Sequence, residues 1–556
     1  MRPRCDARSS ARCTTNASGR AIPARALSKT YDIAVVGCGF TGTSALFQLV
    51  DRFPNCTITV FEASGDFGPG YAYRTDECPD YLLNNTAATM CLTPASRRAF
   101  ADWLASHSDE PGDAIDTSHP PRRLFGQFLK ETLSAVQLTA AVKGIPIRLI
   151  PEEVTDASFC KDGQVKLRWT GDAATFDYVI LATGHNPLLN NIPRPGPTAK
   201  ARYLHSQVMN PALDDLAIDA NVHVLGSSLS AYDVVNRLFS PATGCSFERN
   251  DNGDLLFCAG PNRRHVTLCS RSGRLKATQS NHPASIQRRH FTKDALKGST
   301  TAGGLALRDI KQLVDDEAKA HGAEPDWAQL SNPYADCVGV EAVTQRAAEH
   351  LSTAIAASNQ EGPANFLVDL CMDAGQDIWD SFARGCLTVG AETDFRKSME
   401  SAVLAYAAPC PVLTAEKLIA LINAGRLTLL MGVSEVRLAE DSENYHIAHE
   451  FGEERARVLI NATGAMLRDL DTDGQSDLTK RMRSQGLLQP HIRDGTPLTG
   501  AEVDMETFRL PNAPSIYLAN MLLWGPGIFT SSAALMANVV ERIVDDLLHR
   551  TGNPSR

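Results

Sequence analysis

The residues in this chain best suited to chemistry are glycines, and the chemistry is the holding of phosphate. Gly37-Cys38-Gly39-Phe40-Thr41-Gly42 reads G-x-G-x-x-G, and Glu62 stands 20 residues beyond Gly42. Between a strand and a helix, Gly37 makes the tight turn, Gly39 lets the backbone approach a pyrophosphate, and Gly42 lets the helix pack on the strand. Phe40 and Thr41 open the helix, whose unpaired N–H groups and positive dipole end suit phosphate. Glu62 is placed to accept hydrogen bonds from ribose hydroxyls. This reads as a dinucleotide site; a glycine-rich turn without a ligand is the plainer alternative.

A second candidate follows at Gly226-Ser227-Ser228-Leu229-Ser230, which reads G-x-S-x-S. Ser228 replaces the second glycine, which makes close approach of a pyrophosphate slightly less free but adds a hydroxyl donor. The next strand ends at Ser270-Arg271-Ser272-Gly273-Arg274, with Lys276 beyond. An acid there selects NAD, whereas an arginine accommodates the 2′-phosphate of NADP. Arg271 therefore points to NADPH, against the alternative of a solvated strand-end charge.

These residues need elements to hold them. Tyr31–Val36 and Cys56–Glu62 are short β-branched runs that read as buried strands, with Thr43–Val50 as the helix between them. Phe176–His185 is a strand ending in Ala182-Thr183-Gly184, and the same A-T-G ending recurs at Ala462-Thr463-Gly464. Strand 221–225, a helix from Ala231 to Leu238, a hairpin-like insertion at about 241–264 and strand 265–271 build the second site. Leu305–Ala320, Val343–Ala357 and Ala415–Ala424 carry apolar residues at helical spacing. Pro514–Asn520 reads as a strand, Gly525-Pro526-Gly527 as a turn, and Ser531–Leu548 as an amphipathic helix. The expected fold class is α/β, with two dinucleotide-binding (Rossmann-like) domains, the first discontinuous, and a helical insertion. The expected limits are 1–30 for a basic leader, 31–200 and 431–556 for the first domain, and 201–430 for the second, with its insertion at about 280–425.

The chain has 556 residues, with 54 Lys+Arg against 64 Asp+Glu and a net charge of −10. That balance argues against a nucleic-acid binder, which needs a basic face. No uncharged apolar run reaches about 18 residues, so no membrane span is expected. The 14 cysteines show neither C-x-x-C nor zinc spacing and read as free thiols, and no metal site is expected. Residues 1–30 carry seven basic residues against Asp6 alone. This reads as a disordered tail or early start in a cytoplasmic protein, with an organellar transit peptide as the alternative. A monomer and a homo-oligomer are both compatible with the sequence.

Three further motifs carry a resemblance. Gly68-Pro69-Gly70-Tyr71-Ala72-Tyr73-Arg74-Thr75, Leu82-Leu83-Asn84 and Phe100-Ala101-Asp102-Trp103-Leu104 follow the first glycine motif in order. Over about residues 31–275 the chain resembles the bacterial FAD/NAD(P)-binding proteins that include FAD-dependent urate hydroxylases. More distantly it is similar to the lysine and ornithine N-hydroxylating flavin monooxygenases. The resemblance implies FAD at the first site, with Tyr73, Asn84, Thr183 and Gly184 among its contacts. It also implies a flavin-side turn at Gly525 and Gly527, followed by a helix whose N-terminus, near Ser531, points at the flavin. Ala519-Asn520 departs from the family, where many members have a glycine. His205-Ser206 matches a short segment of flavin monooxygenases. Asn281 is a catalytic candidate only by analogy with an N-hydroxylase asparagine, and a turn residue otherwise.

The implied reaction is hydride flow from NADPH to FAD, then O₂ addition to give a flavin C4a-hydroperoxide that hydroxylates a small polar, nitrogen-bearing metabolite. The absence of a redox cysteine pair and of Fe–S or haem spacing argues against disulfide reductases and ferredoxin-type shuttles. Two alternatives stay open: an NAD(P)H-dependent flavoprotein reductase or oxidase serving another acceptor, and a non-catalytic FAD-binding sensor.

Overall fold

The computed structural model describes residues 29–107, 115–185, 192–204, 210–281, 286–297, 304–360, 362–463, 468–472 and 474–552. The leader up to residue 28, His205, Ser206 and Gly464 lie outside the described residues.

The first sheet grows from β1 (Tyr31–Val36), which leads through α1 (Phe40–Arg52) to β2 (Cys56–Phe61). All six β1 residues pair in parallel with β2. The long helix α2 (Arg122–Lys143) then returns the chain to β3 (Ile147–Ile150), which pairs with β2. An antiparallel meander follows, β4 (Asp156–Phe159), β5 (Val165–Trp169) and β6 (Asp172–Phe176). It feeds β7 (Tyr178–Leu181), which pairs in parallel with the other side of β1. Every residue of β7 is buried, as parallel strands covered on both faces require.

The second sheet repeats this plan. Its strands are β8 (Arg202–Leu204) and β9 (Asn221–Leu225), then, after α3 (Leu229–Leu238) and the hairpin β10 (Ser246–Arg249) and β11 (Leu255–Cys258), β12 (His265–Cys269). Helices including Val340–Ser358 and Val412–Asn423 separate β12 from β13 (Leu427–Leu430). A second meander, β14 (Glu435–Leu438), β15 (Tyr445–His449) and β16 (Gly452–Ala456), feeds β17 (Val458–Asn461). The order β13-β12-β9-β17-β8 is parallel throughout. In each unit a meander thus feeds a buried strand beside the first strand of the glycine motif, β7 next to β1 and β17 next to β9.

The chain returns to the first sheet later than residue 431, where the sequence places that boundary. Residues 427–461 belong to the second unit, because β13 pairs with β12 and β17 with β9. After the hairpin β18 (Pro490–Arg493) and β19 (Thr496–Ala501), β20 (Arg509–Leu510) and β21 (Ala513–Leu518) close the first sheet in the order β20-β21-β7-β1-β2-β3. Helix Ala533–Arg550 covers it, packed on α1.

The insertion between β12 and β13 crosses from one unit to the other. Trp379, Phe382, Leu387, Ala391 and Phe395 belong to the same buried cluster as β1, β7 and the returning segment 508–548. Among the described residues no helix is long and apolar enough to cross a membrane.

Candidate dinucleotide sites

The first glycine turn sits where β1 hands the chain to β2 on one side and has β7 on the other. This reversal of direction opens a crevice at the C-terminal ends of parallel strands, the usual ligand position in such sheets. Gly37 has φ +96°, and its N–H donates to the Phe61 carbonyl at 2.8 Å. A Cβ on Gly37 would lie 2.3 Å from the Ala182 carbonyl oxygen, so the A-T-G strand end closes directly over the turn. A Cβ on Gly42 would lie 2.0 Å from the Gly37 carbonyl oxygen, the tight helix-on-turn contact its position calls for. Gly39 faces the backbone of the 68–75 loop instead, with its Cβ position 3.1 Å from the Gly70 Cα.

Gly39 is the N-cap of α1, with no side-chain cap and no acid in the first turn. The 13-residue helix therefore offers its first N–H groups, at Phe40 and Thr41, without an internal acceptor. Glu62 accepts from the Cys38 N–H at 2.8 Å and from the Ser64 N–H and hydroxyl at 3.1 and 2.8 Å. On the other flank Asn520, at the end of β21, donates to the Thr183 hydroxyl at 2.9 Å. Gly184 follows with φ +67°. The structure thus brings Gly37, Gly39, Phe40, Thr41, Gly42, Glu62, Thr183 and Gly184 to one sheet edge. Asn520, noted from sequence only as a departure from glycine, joins them.

The remaining first-site residues stand differently. The Tyr73 ring packs edge-on against Phe125 at 4.9 Å, and burial raises its hydroxyl pKa. Asn84 follows Leu83, whose N–H and carbonyl are tied to Pro120 and His119. Gly525 and Gly527 are buried, and neighbours within the chain account for both. A Cβ on Gly525 would lie 1.6 Å from the Thr499 carbonyl oxygen, and one on Gly527 would lie 2.8 Å from the Trp379 ring. The last helix begins at Ala533, two residues after Ser531. Ser532 caps it by accepting from the Leu535 N–H, while Ser531 stays exposed before the cap.

The second turn repeats the first around different side chains. Gly226 has φ +117°, its N–H donates to the Cys269 carbonyl at 2.8 Å, and its Cβ position lies 2.7 Å from the Ala462 carbonyl oxygen. So each A-T-G strand end covers the glycine turn of its own sheet. Ser228 is the exposed N-cap of α3, with no side-chain cap and no acid in the first turn, and Ser230 lies partly buried within that turn. The serine that does structural work is Ser227, which composition does not distinguish from Ser228. Its hydroxyl donates to the Arg274 carbonyl at 2.8 Å and lies 2.9 Å from Ser270 Oγ, tying the glycine turn to the strand-end loop. Ser270 Oγ accepts from the Gly273 N–H, and the Tyr334 hydroxyl holds the Gly273 carbonyl at 3.0 Å.

Of the three basic residues in that loop, only Arg271 is exposed, and it makes no side-chain hydrogen bond or ion pair with another described residue. Arg274 donates to the Leu330 and Ser331 carbonyls. Lys276 is buried, donates to the Leu404 carbonyl at 2.6 Å, and burial pushes its pKa down to about 8. Of these three, Arg271 alone would be free to meet a 2′-phosphate. Arg271→Ala is expected to raise the KM for NADPH by roughly 10- to 150-fold, the loss of about 1.5–3 kcal/mol for a charge-assisted contact. The KM for NADH should change little. Steady-state kinetics with both coenzymes decides this, and equal effects would remove the phosphate role.

Asn281 is exposed and braces a helix end. Its amide donates to Asn359 Oδ1 at 2.6 Å, and its N–H to the Ser358 carbonyl at 2.9 Å. Those contacts suit the turn reading. His282 and Pro283 lie outside the described residues.

Two buried ion pairs join the units beside the second helix. Arg122, the first residue of α2, pairs with Asp233 of α3 at 2.8 Å, and Arg237 of α3 pairs with Glu77 at 2.9 Å. Burial raises the Asp233 pKa to about 6 against the opposing pull of Arg122. The twelve cysteines among the described residues are all free, and no group of metal-ligating side chains gathers among those residues.

Residues 34–186 match a protein-family model described as FAD-NAD(P)-binding. Among curated proteins, an uncharacterised protein of Escherichia coli K12, YdhS, is 28% identical over 313 residues, 53% of this chain and 56% of its own length. The match thus spans a little over half of that relative. Solved structures of similar fold include an ornithine N-hydroxylase of Kutzneria sp. 744, at 16% identity and a TM-score of 0.47 over 94% of this chain and 99% of that one. The L-lysine 6-monooxygenase of Pseudomonas syringae gives 15% and 0.48 over 94% and 99%. The NADP+-bound cyclohexanone monooxygenase of Rhodococcus sp. Phi1 gives 16% and 0.48 over 95% and 85%. At these identities and scores the likeness assigns neither a residue nor a reaction.

Proposed function

We propose that this chain is an FAD-dependent, NADPH-consuming monooxygenase that hydroxylates a small polar, nitrogen-bearing metabolite. The observation that carries the reading is the doubled cradle. Two glycines in the left-handed region, Gly37 and Gly226, each lack room for a Cβ beneath an alanine carbonyl. Each opens onto a helix without a side-chain cap or a first-turn acid. Uncapped helix starts at the direction reversals of two parallel sheets suit two pyrophosphates.

In this reading the first unit holds FAD, with the α1 start at the pyrophosphate, Glu62 at the ribose and the Thr183–Asn520 pair beside the turn. The second unit holds NADPH, with the α3 start at the pyrophosphate and Arg271 at the 2′-phosphate. Bound FAD supplies hydride acceptance and the reaction of its reduced ring with O₂. The residues of the chain bind, orient and exclude water. Ser227 fixes the coenzyme loop, the two buried ion pairs hold α3 against the first unit, and the insertion roofs the segment after β21.

The test is oxygen uptake and NADPH oxidation by the purified yellow protein against a panel of amino acids and purines. One compound is expected to stimulate both equally and to appear hydroxylated. Electron transfer to dyes or quinones without oxygen incorporation would make the protein a reductase. A bound flavin that NADPH does not bleach without air would make it a sensor.

A further inference from the structure

The loop after the first glycine motif does not stay within the first unit. It starts against the glycine turn, where the Gly68 N–H donates to the Cys38 carbonyl at 2.7 Å and a Cβ on Gly70 would lie 2.6 Å from the Gly39 Cα. It ends at Tyr81 and Leu82, whose carbonyls accept from the Arg122 N–H at 2.7 Å and from Arg122 Nε at 2.9 Å. Between these anchors it reaches the second unit. Glu77 pairs with Arg237 of α3 at 2.9 Å, and Asp80 pairs with Lys417 of the helix Val412–Asn423 at 3.1 Å. Arg122, which grips the end of the loop, pairs with Asp233 of α3 at 2.8 Å.

All six of these side chains are at most 18% exposed. Desolvation consumes much of the attraction in pairs so buried, so stability alone does not account for them, and register is their best-attested use. The signs here fix a register. Asp233 and Arg237 stand one helical turn apart on α3, and each meets its opposite charge. A slide of one turn in one direction would set Arg122 against Arg237, and in the other Glu77 against Asp233. Like charges meet either way, so α3 has one seat on the first unit.

We infer that segment 68–82 is a strap that sets the place of α3 relative to the first glycine turn, so that Asp233 and Arg237 govern the rate of hydride transfer and not the binding of either coenzyme. This rests on the reading of the two units as FAD and NADPH sites. In the step concerned NADPH becomes NADP+, and the flavin takes up the hydride with its electron pair. Donor and acceptor atoms must come within about 3–3.5 Å, and a misplacement of ~1 Å costs about 100-fold. Asp233 and Arg237 act through the helix that carries them and are positioning residues.

The test is bleaching of the flavin-loaded full chain by NADPH without air. Asp233→Asn is expected to lower the rate at saturating NADPH at least tenfold. The NADPH concentration for half-maximal rate should stay within threefold, and flavin content should be unchanged. The pH profile is the second readout. Asp233 faces Arg122 from α2, Glu77 and Tyr81 from the strap, and Arg237 one turn on; burial and Glu77 raise its pKa to about 6 against the pull of Arg122. The parent's rate should therefore fall as pH drops through about 6, when the protonated carboxyl releases Arg122, and Asp233→Asn should lack that fall. If Asp233→Asn does not fold, Asp80→Asn should lower the saturating rate at least threefold with half-saturation unchanged. An unchanged rate in a variant that keeps its flavin would overturn this inference alone. So would a raised half-saturation at the parent's rate, which would put the pair in coenzyme binding, or flavin lost in step with rate, which would make it a structural tie. A parent that holds flavin but is not bleached by NADPH would overturn both this and the functional reading.

Discussion

Gly37→Val is expected to yield a protein that retains less than a tenth of the parent's flavin. Two costs coincide at this position. A β-branched residue at φ +96° is strained by about 1–3 kcal/mol. Its Cβ would also sit 2.3 Å from the Ala182 carbonyl oxygen, which cannot retreat because β7 is paired with β1 on one side and β21 on the other. Relief requires the turn to lift, and that spoils the α1 start offered to the pyrophosphate. Gly226→Val is the control. It meets the same obstacle from Ala462 in the second unit, so it should keep its flavin and lose bleaching by NADPH. Flavin content by absorbance and anaerobic reduction separate the two variants. A Gly37→Val protein with full flavin would refute the first site.

Glu317→Ala is expected to destabilise the chain by about 3–5 kcal/mol. The Glu317 side chain is fully buried in the insertion. It accepts from the N–H groups of Arg289, His290 and Phe291 at 2.8, 2.6 and 2.7 Å, and meets the His321 ring at 3.1 Å. Removing it leaves three backbone donors without an acceptor beneath the 286–297 loop. Burial alone would raise its pKa, but the N–H groups of Phe291, His290 and Arg289, together with His321, outweigh burial and hold it below the usual range. A depressed folded-state pKa adds stability above the unfolded value near ~4.3 and loses it as pH falls through the folded value. The gap in unfolding temperature between parent and Glu317→Gln should therefore be full near neutrality and shrink under acid. A gap independent of pH would contradict the ionised carboxylate.

What could be seen in the sequence was what few residues impose on nearby backbone. Gly37, Gly42 and Gly226 are legible because a left-handed turn or a helix crossing closer than a Cβ allows admits almost nothing else. The strands 31–36, 56–61, 265–269 and 458–461 are legible as buried parallel runs. Partners distant in the chain were not legible. Nothing local says that Ala182 covers Gly37 while Ala462 covers Gly226, and that pairing keeps residues 427–461 in the second unit. Gly525 and Gly527 carry a turn signal, but the residues that require them, Thr499 and Trp379, lie in other elements. Neighbouring serines also mislead by one place: Ser227 and Ser532 make the hydrogen bonds that composition would equally give to Ser228 and Ser531.

The late return of the chain to its first sheet sets an order of completion during synthesis. The second unit has all five of its strands once residue 461 has been made, whereas the first still lacks β20, β21 and its covering helix, made from residues 509–550. Until then the edge of β7 that β21 will occupy stays unpaired, and such edges invite aggregation. A ribosome that stalls near residue 500 would therefore hold a chain whose second unit has all five strands while the first sheet still has an open edge.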